Sequence, residues 1–89
     1  MAERYNVQVT VKSVLKNPCP RGIKEGDTWI IKNNETPDGL CGDAYQSMAP
    51  SIRNFWLGGI HPWDKDPDIT FRSCPDPECL VIFEVKRLR

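Results

Sequence analysis

The sequence predicts a small α+β fold: an antiparallel sheet of about four strands in the order strand, strand, helical pair, strand, strand, with the helices packed on one face. Three observations predict it. Val7, Val9 and Val11 alternate with Asn6, Gln8, Thr10 and Lys12, the period of two that a half-buried strand requires, and Val81, Phe83 and Val85 alternate near the other end of the chain. Between them, Ala44, Tyr45, Met48 and Ala49, then Ile52, Phe55 and Trp56, recur at helical spacing. Clusters of proline and glycine separate these runs.

The first strand runs from Tyr5. Residues 17–22 hold two prolines and a glycine, so the chain turns there, with Cys19 restrained between Pro18 and Pro20. Lys24-Glu25-Gly26-Asp27 reads as a tight turn feeding a short strand over residues 28–32, where Trp29 and Ile31 alternate with Ile30. Residues 33–39 form a polar loop. Asp43, with Gln46 three residues later, fits an N-cap and capping box for the first helix. Pro50 interrupts that helix and suits the first position of a second one over residues 50–57, with Ile52, Phe55 and Trp56 on its buried side. Gly58-Gly59 stops it by permitting a left-handed cap. Residues 61–68 form a loop carrying Trp63. Ile69 and Phe71, then Val81, Phe83 and Val85, mark two strands joined by a hairpin connection, Cys74-Pro75-Asp76-Pro77-Glu78-Cys79.

Eighty-nine residues leave room for a single domain, 1–89, and a chain of this length buries roughly 60–65% of its unfolded surface, so a cross-link or metal would add useful stability. A hydrophobic fraction of 39% suffices for a packed core, while 27% charge gives a solvated surface and argues against disorder. The net charge is zero, which excludes the broad basic footprint that nucleic acid or anionic lipid usually requires; Lys86, Arg87 and Arg89 are too few to change this. Met1-Ala2-Glu3-Arg4-Tyr5 leads directly into the strand pattern with no apolar leader core, and no apolar run approaches the length of a membrane span. These features predict a cytoplasmic location. Thiols there are generally reduced, so four cysteines point to metal, catalysis or redox switching before permanent disulfides, disulfide-rich thermophile cytosols excepted.

The cysteines are the one chemical signature. All four fall at expected turns: Cys19 after the first strand, Cys41 before the helical pair, Cys74 and Cys79 at the last hairpin. A four-residue hairpin loop would let Cys74 and Cys79 face each other, for a disulfide or a metal, although C-x4-C is not the two-residue spacing of most zinc knuckles. If the sheet brings the turns to one end, Cys19, Cys41, Cys74 and Cys79 form a ligand set for zinc or iron, or a site of reversible oxidation, with His61 as the substitute ligand. Cys41 would sit at the positive end of a helix dipole, which favours thiolate, while Asp43 opposes it. The plainer reading makes each cysteine a small buried side chain. His61 has the same choice between ligation and a structural hydrogen bond.

A different class of function is a non-catalytic module that presents Trp56, Trp63 and His61, with the loop at 58–62, to a protein partner or a second copy. The plainer reading places Trp29, Trp56 and Trp63 in or at the rim of the core, although Phe55 and Trp56 cannot both point inward from one helix. Asp64-Lys65-Asp66-Pro67-Asp68 offers oxygens to calcium but lacks the glycine and final glutamate of the loop built for that ion, and reads as solvated. No phosphate cradle, nucleophile elbow, zincin pair or dinucleotide fingerprint occurs. An enzyme with Cys41 as nucleophile and His61 as base has no sequence feature joining the two.

Residues 9–15, Cys19, Lys24-Glu25-Gly26-Asp27, Pro37-Asp38-Gly39-Leu40-Cys41, Ala44, Pro50, Gly58-Gly59, Pro62-Trp63, Cys74-Pro75-Asp76-Pro77 and residues 81–87 together resemble an uncharacterised family of small bacterial and archaeal proteins whose function is unassigned. The resemblance spans nearly the whole chain. It implies that Cys19, Cys41 and Cys74 belong to the family's cysteine pattern and that Cys79 is a local addition. Where that pattern often has histidine after glycine, this chain has Ile23, which weakens a Cys-His ligand set and leaves a three-thiol site intact.

Overall fold

The computed structural model describes residues 4–89, so the expectation that the chain opens without a leader rests in part on residues outside the description. Four strands and one helix follow in the order β1 (Val7–Val14), β2 (Thr28–Ile31), α1 (Gly42–Trp56), β3 (Ile69–Ser73) and β4 (Val81–Arg87). The sheet is antiparallel throughout, in the order β2-β1-β4-β3. Register aligns the inward residues in rows: Trp29, Val9, Val85 and Thr70 in one, Val11, Phe83 and Arg72 in another. Because the period is two, one phase of each strand faces the core, and a bulge in β1 between Val11 and Ser13 shifts that phase so that Val14, opposite Val81, also packs against it. Val7, Val9, Val11, Ile31, Val81, Phe83 and Val85 are buried there.

Against that face α1 lays Ala44, Met48, Ser51, Ile52 and Phe55, all buried. The expected helical pair is a single helix. Pro50 lies inside it, and the physical reason is where its missing N–H falls: Pro50 and Gln46, whose carbonyl would have received that bond, are both exposed. Interior proline costs about 3 kcal/mol. Burial of Met48, Ile52 and Phe55, worth about 1.5–3 kcal/mol each, spans the proline on the opposite side and holds the helix continuous.

The N-cap is Cys41 rather than Asp43, which occupies the first turn, and no side chain caps the helix. The C-terminal end follows expectation. Gly58 takes φ +87°, its N–H donates to the Phe55 carbonyl at 3.0 Å, and the Gly59 N–H donates to the Asn54 carbonyl at 2.8 Å. That pattern is a Schellman cap, which needs the left-handed residue glycine supplies. Boundaries also shift from expectation: β1 begins at Val7 rather than Tyr5, β2 ends at Ile31, α1 ends at Trp56, and the β3–β4 connection spans 74–80.

Arg87 is a core feature of its own. It is 2% exposed and on the inward phase of β4. Its guanidinium donates to Asp68 Oδ1 at 3.0 Å, the Gly59 carbonyl at 2.6 Å and the Pro67 carbonyl at 3.0 Å. It also lies over the Tyr5 and Phe55 rings at 5.3 and 5.0 Å. The long 59–68 connection is thereby fastened to β4. Asp68, read from sequence as part of a solvated loop, is the anion that completes this clamp, and Arg89 donates to it as well. Burial raises its pKa, but the bonds from Arg87 and Arg89 outweigh that and hold the carboxyl below the ordinary 3.8.

Candidate functional site: a four-thiol cavity

Antiparallel pairing of β1 with β4 sets Val14 opposite Val81, so the chain leaving β1 and the chain entering β4 occupy the same end of the sheet. Beyond the ladder, backbone bonds continue the pairing. The N–H groups of Leu15, Lys16 and Asn17 donate to the carbonyls of Leu80, Cys79 and Glu78 at 3.2, 3.0 and 3.1 Å. Cys19 follows directly, in a turn closed by the Gly22 N–H on its carbonyl at 2.9 Å, with Gly22 at φ +79°.

The hairpin that carries Cys74 and Cys79 is organised by Asp76. Its carboxylate accepts the Glu78 N–H at 2.9 Å, and its carbonyl accepts the N–H groups of Cys79 and Leu80 at 3.3 and 3.0 Å. Cys74 closes the pairing: its N–H donates to the Val81 carbonyl at 2.9 Å, and its Sγ accepts the Val81 N–H at 3.5 Å. Cys41 comes from the helix side, where as N-cap its carbonyl accepts the Tyr45 N–H at 2.9 Å.

Together these three segments enclose a cavity of about 120 Å³ lined by all four cysteines, with Arg21, Asp43 and Asp76 as its charged residues. All four thiols are free. Cys19 and Cys41 are half-buried, Cys74 and Cys79 buried. Cys79 Sγ donates to the Pro18 carbonyl at 3.7 Å and to Asp76 Oδ2 at 3.8 Å. Its pKa is pushed above the ordinary 9.0, first by burial, then by the Asp76 carboxylate and the neighbouring Cys19. Among the described residues, no group of three or more His, Cys, Asp or Glu side chains stands ready to hold a metal ion.

His61 is elsewhere. Its ring meets Phe55 edge-on at 4.9 Å between centroids and Trp63 at 5.2 Å. Phe55 stands fourteen residues along from Cys41, about 21 Å at the helical rise, so the structure does not bring the imidazole to the thiols. His61 Nδ1 lies 4.0 Å from Asp64 Oδ2, both atoms buried with no hydrogen-bond partner among the described residues. Burial first, and the Arg72 charge second, lower its pKa below 6.5 against the opposing pull of Asp64. The fold thus favours the neutral imidazole.

The tryptophans divide. Trp56 is half-buried beneath the Arg4 guanidinium at 5.4 Å, and Trp29 is half-buried against the core. Trp63 is 66% exposed, close to the exposed Phe71 along a shallow groove that Ile69 also lines. Sequence reasoning missed two residues that shape these regions. Arg87 stands in phase with Val81, Phe83 and Val85, so period two already marked it as inward. Asp76, two residues before Glu78, has the spacing of an Asx turn.

No helix among the described residues is long and apolar enough to cross a membrane. No family model, curated protein or solved structure matches the chain.

Proposed function

We propose that the protein works through the thiols of this cavity, by reversible thiol–disulfide chemistry. One observation carries the reading: four free cysteines from three separate segments line one small cavity. Burial alone accounts for two of them, since free cysteine packs as a small hydrophobe. It does not account for Cys19 and Cys41, half-exposed in a turn and at a helix cap, lining the same cavity as the other two. Exchange chemistry requires an accessible sulfur near a second one, and what supports it here is the half-buried Cys19 turn held against the turn of buried Cys79. The test is a thiol count on denatured protein before and after mild oxidation and again after reduction. Loss of thiols in pairs, reversed by a dithiol, supports the reading; four thiols left free throughout would rule it out.

The same thiols give a second reading, a zinc or iron site formed by Cys19, Cys41, Cys74 and Cys79. What favours it is the Val81 N–H directed at Cys74 Sγ, the kind of backbone bond that stabilises a thiolate ligand. Binding would draw the side chains inward and deprotonate Cys79 despite its raised pKa. Elemental analysis of anaerobically purified protein decides it: a stoichiometric ion, lost in Cys41→Ser, supports the site, and metal content unaffected by Cys41→Ser argues against it. Exposed Trp63 favours an association surface, for a partner or a second copy, separate from the thiols. Sedimentation that stays monomeric at high concentration removes the self-association form of that idea.

A further inference from the structure

Within the cavity the four thiols are not equivalent. The backbone bonds between 15–17 and 78–80 hold the Cys79 turn beside the Cys19 turn, and Cys79 Sγ touches the Pro18 carbonyl, one peptide bond from the Cys19 nitrogen. Cys74 is engaged by the Val81 N–H, and Cys41 is fixed at the cap of α1. Pro18 and Pro20 restrict the backbone around Cys19, so an approach to Cys79 proceeds by side-chain rotation with little chain movement. Cys19 is half-buried, whereas Cys79 is 3% exposed.

We propose that Cys19 and Cys79 are the working pair of the cavity and that the oxidant is a hydroperoxide, with Cys19 attacking it and Cys79 closing the disulfide. The proposal rests on the thiol–disulfide reading above. In the first step the Cys19 sulfur attacks the O–O bond, which breaks; an S–O bond forms, and the alcohol, or water from hydrogen peroxide, leaves with the Cys19 proton. In the second, the Cys79 sulfur attacks the Cys19 sulfur, the S–O bond breaks and the S–S bond forms. The departing hydroxide receives the Cys79 proton by way of the Asp76 carboxylate, 3.8 Å from Cys79 Sγ, and leaves as water. Two thiols supply the two electrons that reduce one hydroperoxide to alcohol and water. Burial suits Cys79 to the second role: at 3% exposure it is shielded from peroxide in solution, whereas half-buried Cys19 is open to it.

The test treats reduced, metal-free protein with one equivalent of hydrogen peroxide, alkylates the remaining thiols, and maps linkages after trypsin and a protease that cuts before aspartate. Trypsin isolates Cys19 in residues 17–21, and cleavage before Asp76 separates Cys74 from Cys79. Two of the four thiols should disappear into a Cys19–Cys79 linkage. A different main pair overturns the pair assignment and leaves the thiol–disulfide reading standing; four free thiols overturn both. Cys79→Ser should accumulate a Cys19 sulfenic acid that dimedone traps, and Cys19→Ser should consume peroxide at least tenfold more slowly. Unchanged consumption in Cys19→Ser, or dimedone on another cysteine, overturns the order of attack.

Discussion

Replacing Arg87 with Met should destabilise the protein by about 3–5 kcal/mol, the range for breaking one partner of a buried ion pair. Methionine keeps much of the stem that packs on Tyr5 and Phe55 but removes the guanidinium, so the Gly59 and Pro67 carbonyls lose its bonds and Asp68 retains its pairing with Arg89. Hydrogen bonds to a charged group contribute about 1.5–3 kcal/mol each, and the retained Arg89 contact places the total inside the quoted range rather than at their sum. An 89-residue chain has a total stability of about 4–13 kcal/mol, so the loss is a large share of it. Urea unfolding followed by tryptophan fluorescence reads the change: at a slope of about 2 kcal/mol/M, the midpoint moves down by about 1.5–2.5 M. Arg87→Lys should recover less than half of it, because an ammonium cannot reach three acceptors in the planar fork that guanidinium presents. Arg89→Ala, whose side chain is mostly exposed, should move the midpoint little. A midpoint shift below about 0.5 M for Arg87→Met, about 1 kcal/mol at that slope, would refute the clamp.

Three other perturbations test separate parts of the structure. Gly58→Ala places a Cβ in the left-handed region and should cost about 1–2 kcal/mol, read as a lower melting temperature; an unchanged melt would mean the Schellman cap is not held there. Phe83→Ala empties a fully buried site in the central strand β4 beside the thiol cavity and should cost about 3–5 kcal/mol by urea unfolding, while a cost below about 1.5 kcal/mol would mean the core collapses around it. His61 has a folded pKa below its ordinary 6.5, so the unfolded chain takes up its proton first as pH falls; stability is full above 6.5 and declines below it until the folded value is reached. Unfolding free energies measured between pH 7.5 and 5 should show that decline and lose it in His61→Gln, and a flat or rising trend toward acid in the natural chain contradicts the argument.

Much of the scaffold was legible because it is written in short-range patterns. Val7, Val9 and Val11 announce their strand through alternation, Ala44, Met48, Ile52 and Phe55 announce a helix face through spacing, and Gly58-Gly59 announces its end. Pro50 misled for the same reason. Its local effect is to break a helix, and only the sheet beneath Met48, Ile52 and Phe55 supplies the burial that overrides it. Arg87 was readable by phase, yet its partners lie nineteen to twenty-eight residues away, beyond any local rule. The placement of His61 against Phe55 was equally hidden, because a loop's docking point depends on the surface available to it.

By itself the sequence determined which stretches form strands, which stretch is helical and where the chain turns, and that every cysteine lies outside those stretches. Those are properties of a residue and its neighbours within about four positions. Only the tertiary structure decided which ends meet. Pairing β1 with β4, so that Val14 faces Val81, carries the Cys19 turn to the Cys74–Cys79 hairpin, and packing α1 across the sheet brings its Cys41 end to the same cavity. That choice is made by the summed burial of one shared core, a long-range quantity that no short stretch of the chain contains.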